Sequence, residues 1–275
     1  MAADAPLTRL ALRATSVTDD LGYVALSDLA HTLGDMTADY RVIGGHMVTM
    51  LAARWRLGAA MYRETGDVDL GIPPIVARDH HVASRLKSID YLQIAGNRFA
   101  RQLSDIPVAI MGESDPQAAL IDLLVPAYTG HARENVQVSD DLIATEVPGL
   151  QLALARPPVT ISLQMRRLNG ETLQCEIPFA DETSALVLKA FATTVRFKDT
   201  DLADIWRCLE IAFAAGLGPA DFDRGTRAEV IRELFGGRRA RAMTTLAAGQ
   251  RLSAQAADER FTRIRALIER VLGTS

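Results

Sequence analysis

The sequence predicts a bilobal α/β protein: a mixed sheet flanked by helices over residues 1–150, a β-hairpin segment over 151–180 bridging the lobes, and a mostly helical lobe over 181–275. Three observations carry this. A β-branched run, Tyr40-Arg41-Val42-Ile43, enters Gly44-Gly45 and then an apolar helical segment from His46 to Arg56. Two more strand-like runs follow, GDVDLGI at 66–72 and AALIDLLV at 118–125, both carrying acid. Asn169-Gly170 stands between two alternating runs, a strong hairpin signal, and beyond it the apolar spacing turns helical to the last residues.

Composition sets the frame for these elements. With 275 residues, 48% hydrophobic and 23% charged, the chain has the make-up of an ordinary globular protein and enough apolar material for one large core or two smaller ones. No apolar run approaches the roughly 20 residues that cross a bilayer, and MAADAPLTRLALR lacks a basic segment followed by an apolar one. The expectation is therefore a cytoplasmic protein with no membrane partner. Cys175 and Cys208 are far apart and lack C-x-x-C spacing, so neither a disulfide framework nor a zinc knuckle is expected, and both read as core thiols. The net charge of −4 is uneven: residues 1–180 hold 15 Lys/Arg against 21 Asp/Glu, and residues 181–275 hold 15 against 13. An acidic front suits a cation site and a mildly basic back suits a polyanion, although solvated helix faces produce differences of this size too.

Taken in order, YVALSDLAHTLGDM reads as an amphipathic helix ending near Gly34. The strand at 40–43, the glycine pair and the helix from His46 come next, then the D-x-D strand, which Pro73-Pro74 stops. A helix is expected over Ala77 to Ile89, short strands over Arg98 to Leu103 and Val108 to Met111, and an apolar strand at 118–125. From Leu150 the pattern changes with LQLALA and then the hairpin at 159–179. Helices are expected from Asp181 to Val195, Thr200 to Ala215, Ala228 to Leu234 with an extension past Gly236-Gly237, and Ala254 to Leu272. In the last, Phe261, Ile264, Leu267, Ile268, Val271 and Leu272 form a core stripe.

Asp67 and Asp69 are the first chemical anomaly. Residues i and i+2 of a strand point to the same side, so the two carboxylates stand side by side and repel unless something positive lies between them. A divalent cation held by hard oxygen ligands is one remedy, and a solvated edge strand is the plainer alternative. Asp122 is the second anomaly, a carboxylate in an almost wholly apolar strand, which is costly to bury unless paired or bound to a metal. Gly44 and Gly45 form either a tight strand-to-helix turn or a phosphate cradle, in which glycine lets the backbone approach and the helix N-terminus offers N–H groups. His46 reads as a polar residue of that helix start. His80 and His81, adjacent on a helix, point in different directions and cannot chelate one ion.

Together, IGGHMV, RETGDVDLGI and LIDLLVP resemble the core motifs of the nucleotidyltransferase superfamily, and Arg63-Glu64-Thr65-Gly66-Asp67-Val68-Asp69-Leu70 is similar to the R-x-[ST]-x-D-x-D-L wording of its AbiEii branch, which includes the MenT-type toxins. The segment VLKAFATTVRFKDTDLADIW resembles the lysine and acid pair of that branch. The resemblance spans roughly residues 40–210. It implies a nucleotidyltransferase-fold first lobe with Asp67, Asp69 and Asp122 as metal ligands for Mg²⁺, or Mn²⁺ in its place. It further implies that Gly44, Gly45, Arg63, Thr65, Lys189 and Arg196 bind the NTP, and that Asp201 or Asp204, which share a helix face, accepts a proton from the attacking hydroxyl. Lys189 is expected as a lone ammonium facing the triphosphate in a cleft between the lobes.

The reaction so implied moves a nucleoside monophosphate from NTP to an acceptor hydroxyl, with RNA, such as the 3′ end of tRNA, as acceptor and a cognate antitoxin as protein partner. An antibiotic-type small-molecule nucleotidyltransferase and a catalytically silent binding protein share the same residues. For the RNA acceptor the basic stretch from Arg232 to Arg241, with Arg251, is the candidate surface; its alternative is a solvated helix end.

Overall fold

The computed structural model describes residues 6, 8–103, 118–196, 198–222, 228–237, 240–249 and 252–273. Its strands and helices run β1 (Arg9–Arg13), α1 (Val17–Thr32), β2 (Arg41–Ile43), α2 (Gly44–Arg54), β3 (Asp67–Gly71), α3 (Pro74–Asp79), α4 (Val82–Lys87), β4 (Leu92–Ala95), β5 (Arg98–Gln102) and β6 (Ala118–Pro126). They continue with β7 (Val136–Ser139), β8 (Leu142–Val147), α5 (Leu150–Ala155), β9 (Val159–Arg166), β10 (Thr172–Phe179), α6 (Glu182–Val195), α7 (Asp199–Ala214), α8 (Ala228–Phe235), α9 (Arg241–Gly249) and α10 (Ala254–Leu272). The chain divides into a sheet unit, Leu7–Met50 with Tyr62–Asp181, and a helical unit, Met1–Pro6 with Leu51–Met61 and Glu182–Ser275.

The sheet unit is built on one mixed sheet in the order β1-β9-β10-β2-β3-β6-β5-β4, with β8 beside β6 and β7 beside β8. β3 and β6 run parallel, β5 is antiparallel to β6, and β2 is antiparallel to β3. The hairpin expected at 159–179 is β9 and β10, turning at Asn169-Gly170 with Gly170 at φ +91. It is an inner part of the sheet, flanked by β1 on one side and β2 on the other. Alternate residues such as Val68, Leu70, Phe99, Ile121, Leu123, Ile161, Leu163 and Ile177 are fully or almost fully buried, and α1 packs Tyr23, Val24, Leu26 and Leu29 into the same core against β3, β6 and β10. Each such side chain contributes about 1.5–3 kcal/mol by leaving water.

Several boundaries differ from the sequence expectation, each for a local reason. α1 begins at Val17 rather than Tyr23 because Ser16 caps it, accepting from the Asp19 N–H. The single helix expected over 77–89 is two, α3 and α4, because His81 takes a left-handed conformation with φ +53. LQLALA forms the short helix α5 after Gly149. The strands β1, β4, β7 and β8 were not expected, and the strand expected at 108–111 lies outside the described residues.

In the helical unit α6 and α7 pack together, and α10 lays Ile264, Leu267, Ile268, Val271 and Leu272 into the core with Phe261 half-buried beside them. Trp206 is buried under the guanidinium of Arg260, 3.7 Å above its ring. Arg232, expected as part of a basic surface, instead donates from Nη2 to the carbonyls of Leu272 and Gly273 at 2.6 and 3.3 Å, satisfying the C-terminal end of α10. Arg238 and Arg239 lie outside the described residues, as does Arg251. Cys208 is buried and Cys175 half-buried, both free thiols. Among the described residues no helix is long and apolar enough to cross a membrane.

One buried ion pair ties α1 to the hairpin. Asp20 is fully buried; its Oδ2 accepts from Arg167 Nη2 at 2.9 Å and its Oδ1 from the Leu168 N–H at 2.9 Å. Removing Asp20 leaves the buried Arg167 guanidinium to the exposed Glu171, whose Oε2 lies 2.9 Å from Nη1, and losing one partner of a buried pair costs roughly 3–5 kcal/mol. Asp20→Ala is therefore expected to lower the stability of the sheet unit by about 3 kcal/mol and Asp20→Asn, which keeps an acceptor for Leu168, by less. Urea unfolding monitored by circular dichroism checks this, and equal midpoints for Asp20→Ala and wild type would contradict it.

Candidate functional site

The sheet register builds the acidic site. β3 and β6 pair so that Asp69 lies opposite Asp122, and β5 pairs with β6 so that Arg98 lies opposite Asp122. Laterally paired residues share a sheet face, so Arg98, Asp122 and Asp69 form one row across three strands spaced about 4.8 Å apart, with Asp67 two residues along on the same side. Val68 and Leu70, on the opposite side, are fully buried. Arg98 donates from Nε and Nη2 to the two carboxylate oxygens of Asp122 at 2.8 and 2.6 Å, and Nη2 also lies 3.4 Å from Asp67 Oδ2. Its guanidinium is held above its ordinary pKa by the hydrogen bond to Asp122, with burial opposing and the charges of Asp122, Asp67 and Asp69 adding. Among the described residues no three carboxylate, imidazole or thiol groups form a ready cage for a metal ion; the acid row is closed by Arg98.

The first turn of α2 lies directly against this row. Gly44, at φ +71, has the Asp69 Oδ2 1.7 Å from where a Cβ would stand, and the corresponding point at Gly45 is 2.5 Å from Arg63 Nη2 and 2.6 Å from Thr65 Oγ1. Thr65 is buried, with Oγ1 3.4 Å from Asp67 Oδ1, and the Arg63 carbonyl accepts from Thr49 Oγ1 of α2 at 3.3 Å. The structure thus brings Gly44, Gly45, Arg63, Thr65, Asp67, Asp69 and Asp122 into one neighbourhood of the sheet unit.

His46, the third residue of α2, is buried rather than presented at the helix start. Its Nε2 has no hydrogen-bond partner among the described residues, and a Cβ on Gly22 of α1 would stand 2.7 Å from it. Burial pushes its pKa from 6.5 down to about 4, with Asp67 opposing that shift and Arg63 adding to it. Nearby, Asp19 accepts from the Tyr62 hydroxyl and from Thr15.

Lys189, Arg196, Asp201 and Asp204 come together in the helical unit. Lys189 is buried, its Nζ 2.8 Å from Asp204 Oδ2 and 3.5 Å from Asp201 Oδ1, so it is a paired ammonium and not a lone one. The reason is physical: an ammonium held out of water needs counter-charge. Arg207 Nη1 reaches Asp204 Oδ1 at 3.0 Å and the more exposed Arg196 Nε reaches Asp201 Oδ2 at 3.2 Å. Both acids are buried, and burial together with the Asp204 charge pushes the adjacent Cys208 thiol up. Sequence reasoning missed Arg98 and Arg207. Arg98 heads a run read as a strand, but nothing local in the sequence marks the acid-bearing strand it pairs with.

The chain matches no family model and no curated protein. Among solved structures, an antigenic nucleotidyltransferase-like protein from Paracoccidioides brasiliensis aligns over 94% of this chain and 95% of its own, with 16% sequence identity and a TM-score of 0.43.

Two expectations follow from the packing. Gly44→Ala places a methyl into the Asp69 carboxylate at a left-handed backbone position, which costs roughly 1–2 kcal/mol in conformation before the clash is counted; a Gly34→Ala control, with nothing within 4 Å of its added Cβ, should leave the melting temperature almost unchanged. Equal melting of the two variants would refute the close approach. For His46, the depressed folded pKa means that the unfolded chain takes up a proton below pH 6.5 while the folded one does not until about 4. Stability is thus expected to fall as pH drops through that window, and His46→Gln should flatten this part of the melting-temperature profile. A profile unchanged by the substitution would show that His46 does not titrate this way.

Proposed function

We propose that the protein is a metal-dependent nucleotidyltransferase that moves a nucleoside monophosphate from NTP to an acceptor hydroxyl. The observation that carries this is the close approach of Asp69 to the Gly44 backbone at the start of α2, which sets carboxylates and helix N–H groups side by side. Carboxylates are the hard-oxygen ligands that Mg²⁺ or Mn²⁺ takes, but as placed Asp67, Asp69 and Asp122 form no cage of three, with Arg98 paired to Asp122. Asp67 and Asp69 would hold the ion, with Asp122 the third acid of the row; when bound it supplies positive charge against the phosphates and the departing pyrophosphate.

The chain's own residues have distinct tasks in this reading. The N–H groups of the first turn of α2 bind phosphate oxygens, which the absence of side chains at Gly44 and Gly45 allows. Arg63 and Thr65, packed over Gly45, flank the same phosphates. Lys189, Arg196, Asp201 and Asp204 pair with one another in the helical unit and are given no step in this reading. RNA as acceptor, with a role as the toxin of a toxin–antitoxin pair, is supported by the motif wording of residues 63–70 and by the excess of cations in residues 181–275.

Incubation with α-labelled NTPs and Mg²⁺, in the presence of bulk RNA or of small hydroxylated acceptors, tests the reading. Label is expected in RNA, with Asp67→Asn and Asp69→Asn each reducing it at least about a hundredfold at unchanged circular dichroism. Label in the small acceptors only would select the antibiotic-type reaction, and no label with any nucleotide or metal would leave a binding protein.

A further inference from the structure

Three strands of the sheet unit, β1, β9 and β10, turn one face to the core and leave the other to solvent. Leu10, Ile161, Leu163, Met165 and Ile177 fill the core side. The register sets the residues of the other side in rows: Arg9 beside Ser162 and Glu176, Ala11 beside Gln164 and Gln174, Arg13 beside Arg166 and Thr172. All are exposed except the half-buried Ser162. Over these strands three arginines thus share the open face with one carboxylate, Glu176. The same face continues to the acid row. Phe179, Val42 and Leu70 lie in one row on the core side, so Asp69, next to Leu70, projects to the side of the arginines.

These arginines differ from the others of the sheet unit in lacking counter-charge. Arg85, Arg98, Arg101, Arg133, Arg156 and Arg167 each meet a carboxylate. Arg9, Arg13 and Arg166 meet none among the described residues. Arg13 and Arg166 also stand directly opposite each other, on strands about 4.8 Å apart, where like charges destabilise a sheet. An anion between them removes that cost. The side chains of the face indicate which anion. Protein interfaces carry an apolar centre, and this face has no apolar side chain larger than Ala11 over its three rows. A second copy would bring arginine against arginine. Guanidinium, amide and hydroxyl groups without aromatic rings suit a phosphate backbone rather than base stacking.

We propose that the open face of β1, β9 and β10 holds the phosphate backbone of an RNA strand, with Arg9, Arg13 and Arg166 as its cations and Gln164, Gln174 and Thr172 beside them. The inference rests on RNA as the acceptor and adds the surface that carries the strand away from its reacting end. Four strand spacings and the offset along β10 put Arg13 on the order of 30 Å from Asp69. At that distance the arginines act on RNA affinity and not on the chemical step.

Fluorescence anisotropy of the full chain with a labelled single-stranded RNA, without NTP, reads this surface apart from transfer. Wild type is expected to lose affinity steeply as salt rises. The triple variant Arg9→Gln, Arg13→Gln, Arg166→Gln is expected to bind about tenfold more weakly at low salt. Its slope of log affinity against log salt should be smaller by roughly 2, because each phosphate neutralised on a single strand contributes about 0.7. Replacing the same three residues by Lys keeps the charge and should keep the slope. Thermal melts identify a variant that fails to fold, and Arg13→Gln alone, expected to bind about twofold more weakly, then carries the comparison. Equal affinity and slope in wild type and the Gln variants overturn the proposal. So does binding of poly-glutamate without binding of RNA, which would give the face to an acidic protein, and so does the absence of RNA binding by wild type. In each of these cases the transfer of label from NTP to small acceptors decides the nucleotidyltransferase reading separately.

Discussion

The arrangement of the acidic site depends on the parallel register of β3 and β6, which sets Asp69 beside Asp122. Two carboxylates on neighbouring strands, with a third two residues along, form an unfavourable concentration of charge. The chain answers it from three directions. Arg98 comes in from β5, the amide end of α2 approaches through Gly44, and Thr65 lies by Asp67. Shifting either strand by one residue would turn its acids into the apolar core and its apolar residues out, so the alternation of Val68 and Leu70 with the aspartates enforces the register that creates the problem.

Buried charge is handled differently elsewhere. Asp20 with Arg167, and Lys189 with Asp201, Asp204 and Arg207, are networks whose inner members are almost wholly removed from water, and each reaches one exposed group, Glu171 in the first and Arg196 in the second. Such networks contribute little net stability over apolar replacements but are strongly destabilised when one member is lost. They therefore fix geometry: one holds the first turn of α1 against the end of β9, and the other holds α6 against α7. The acid row is more open, with Asp67 and Arg98 both more than a third exposed.

What could be read in the sequence was what short spacings encode. The i, i+2 aspartates, the acid inside an apolar strand, the glycine pair after a β-branched run and the Asn-Gly turn are local signals, and the structure gathers the residues they mark in the sheet unit. Arg98 was not readable because its role comes from pairing between β5 and β6, whose register no local pattern states. The burial of Lys189 was not readable either, since the amphipathic spacing of α6 does not say that two acids of α7 will meet it. The break at His81 was missed because a left-handed histidine has no reliable marker between two helical runs. His46 was missed as a buried group because the residue that makes room for it, Gly22, belongs to a different helix.

The outer strand β1 has its own consequence. Arg9 to Arg13 pair in parallel with Ser162 to Arg166, and β1 ends the strand order. β1 therefore has no partner in the sheet until β9 has been made. At about 5–20 residues per second that delay is on the order of ten to thirty seconds. The acid row, by contrast, is complete in β3, β5 and β6 once residue 126 has emerged. Vectorial synthesis thus brings the acid row together before the edge, and a nascent chain halted between β6 and β9 already holds every member of the row while β1 is still unpaired.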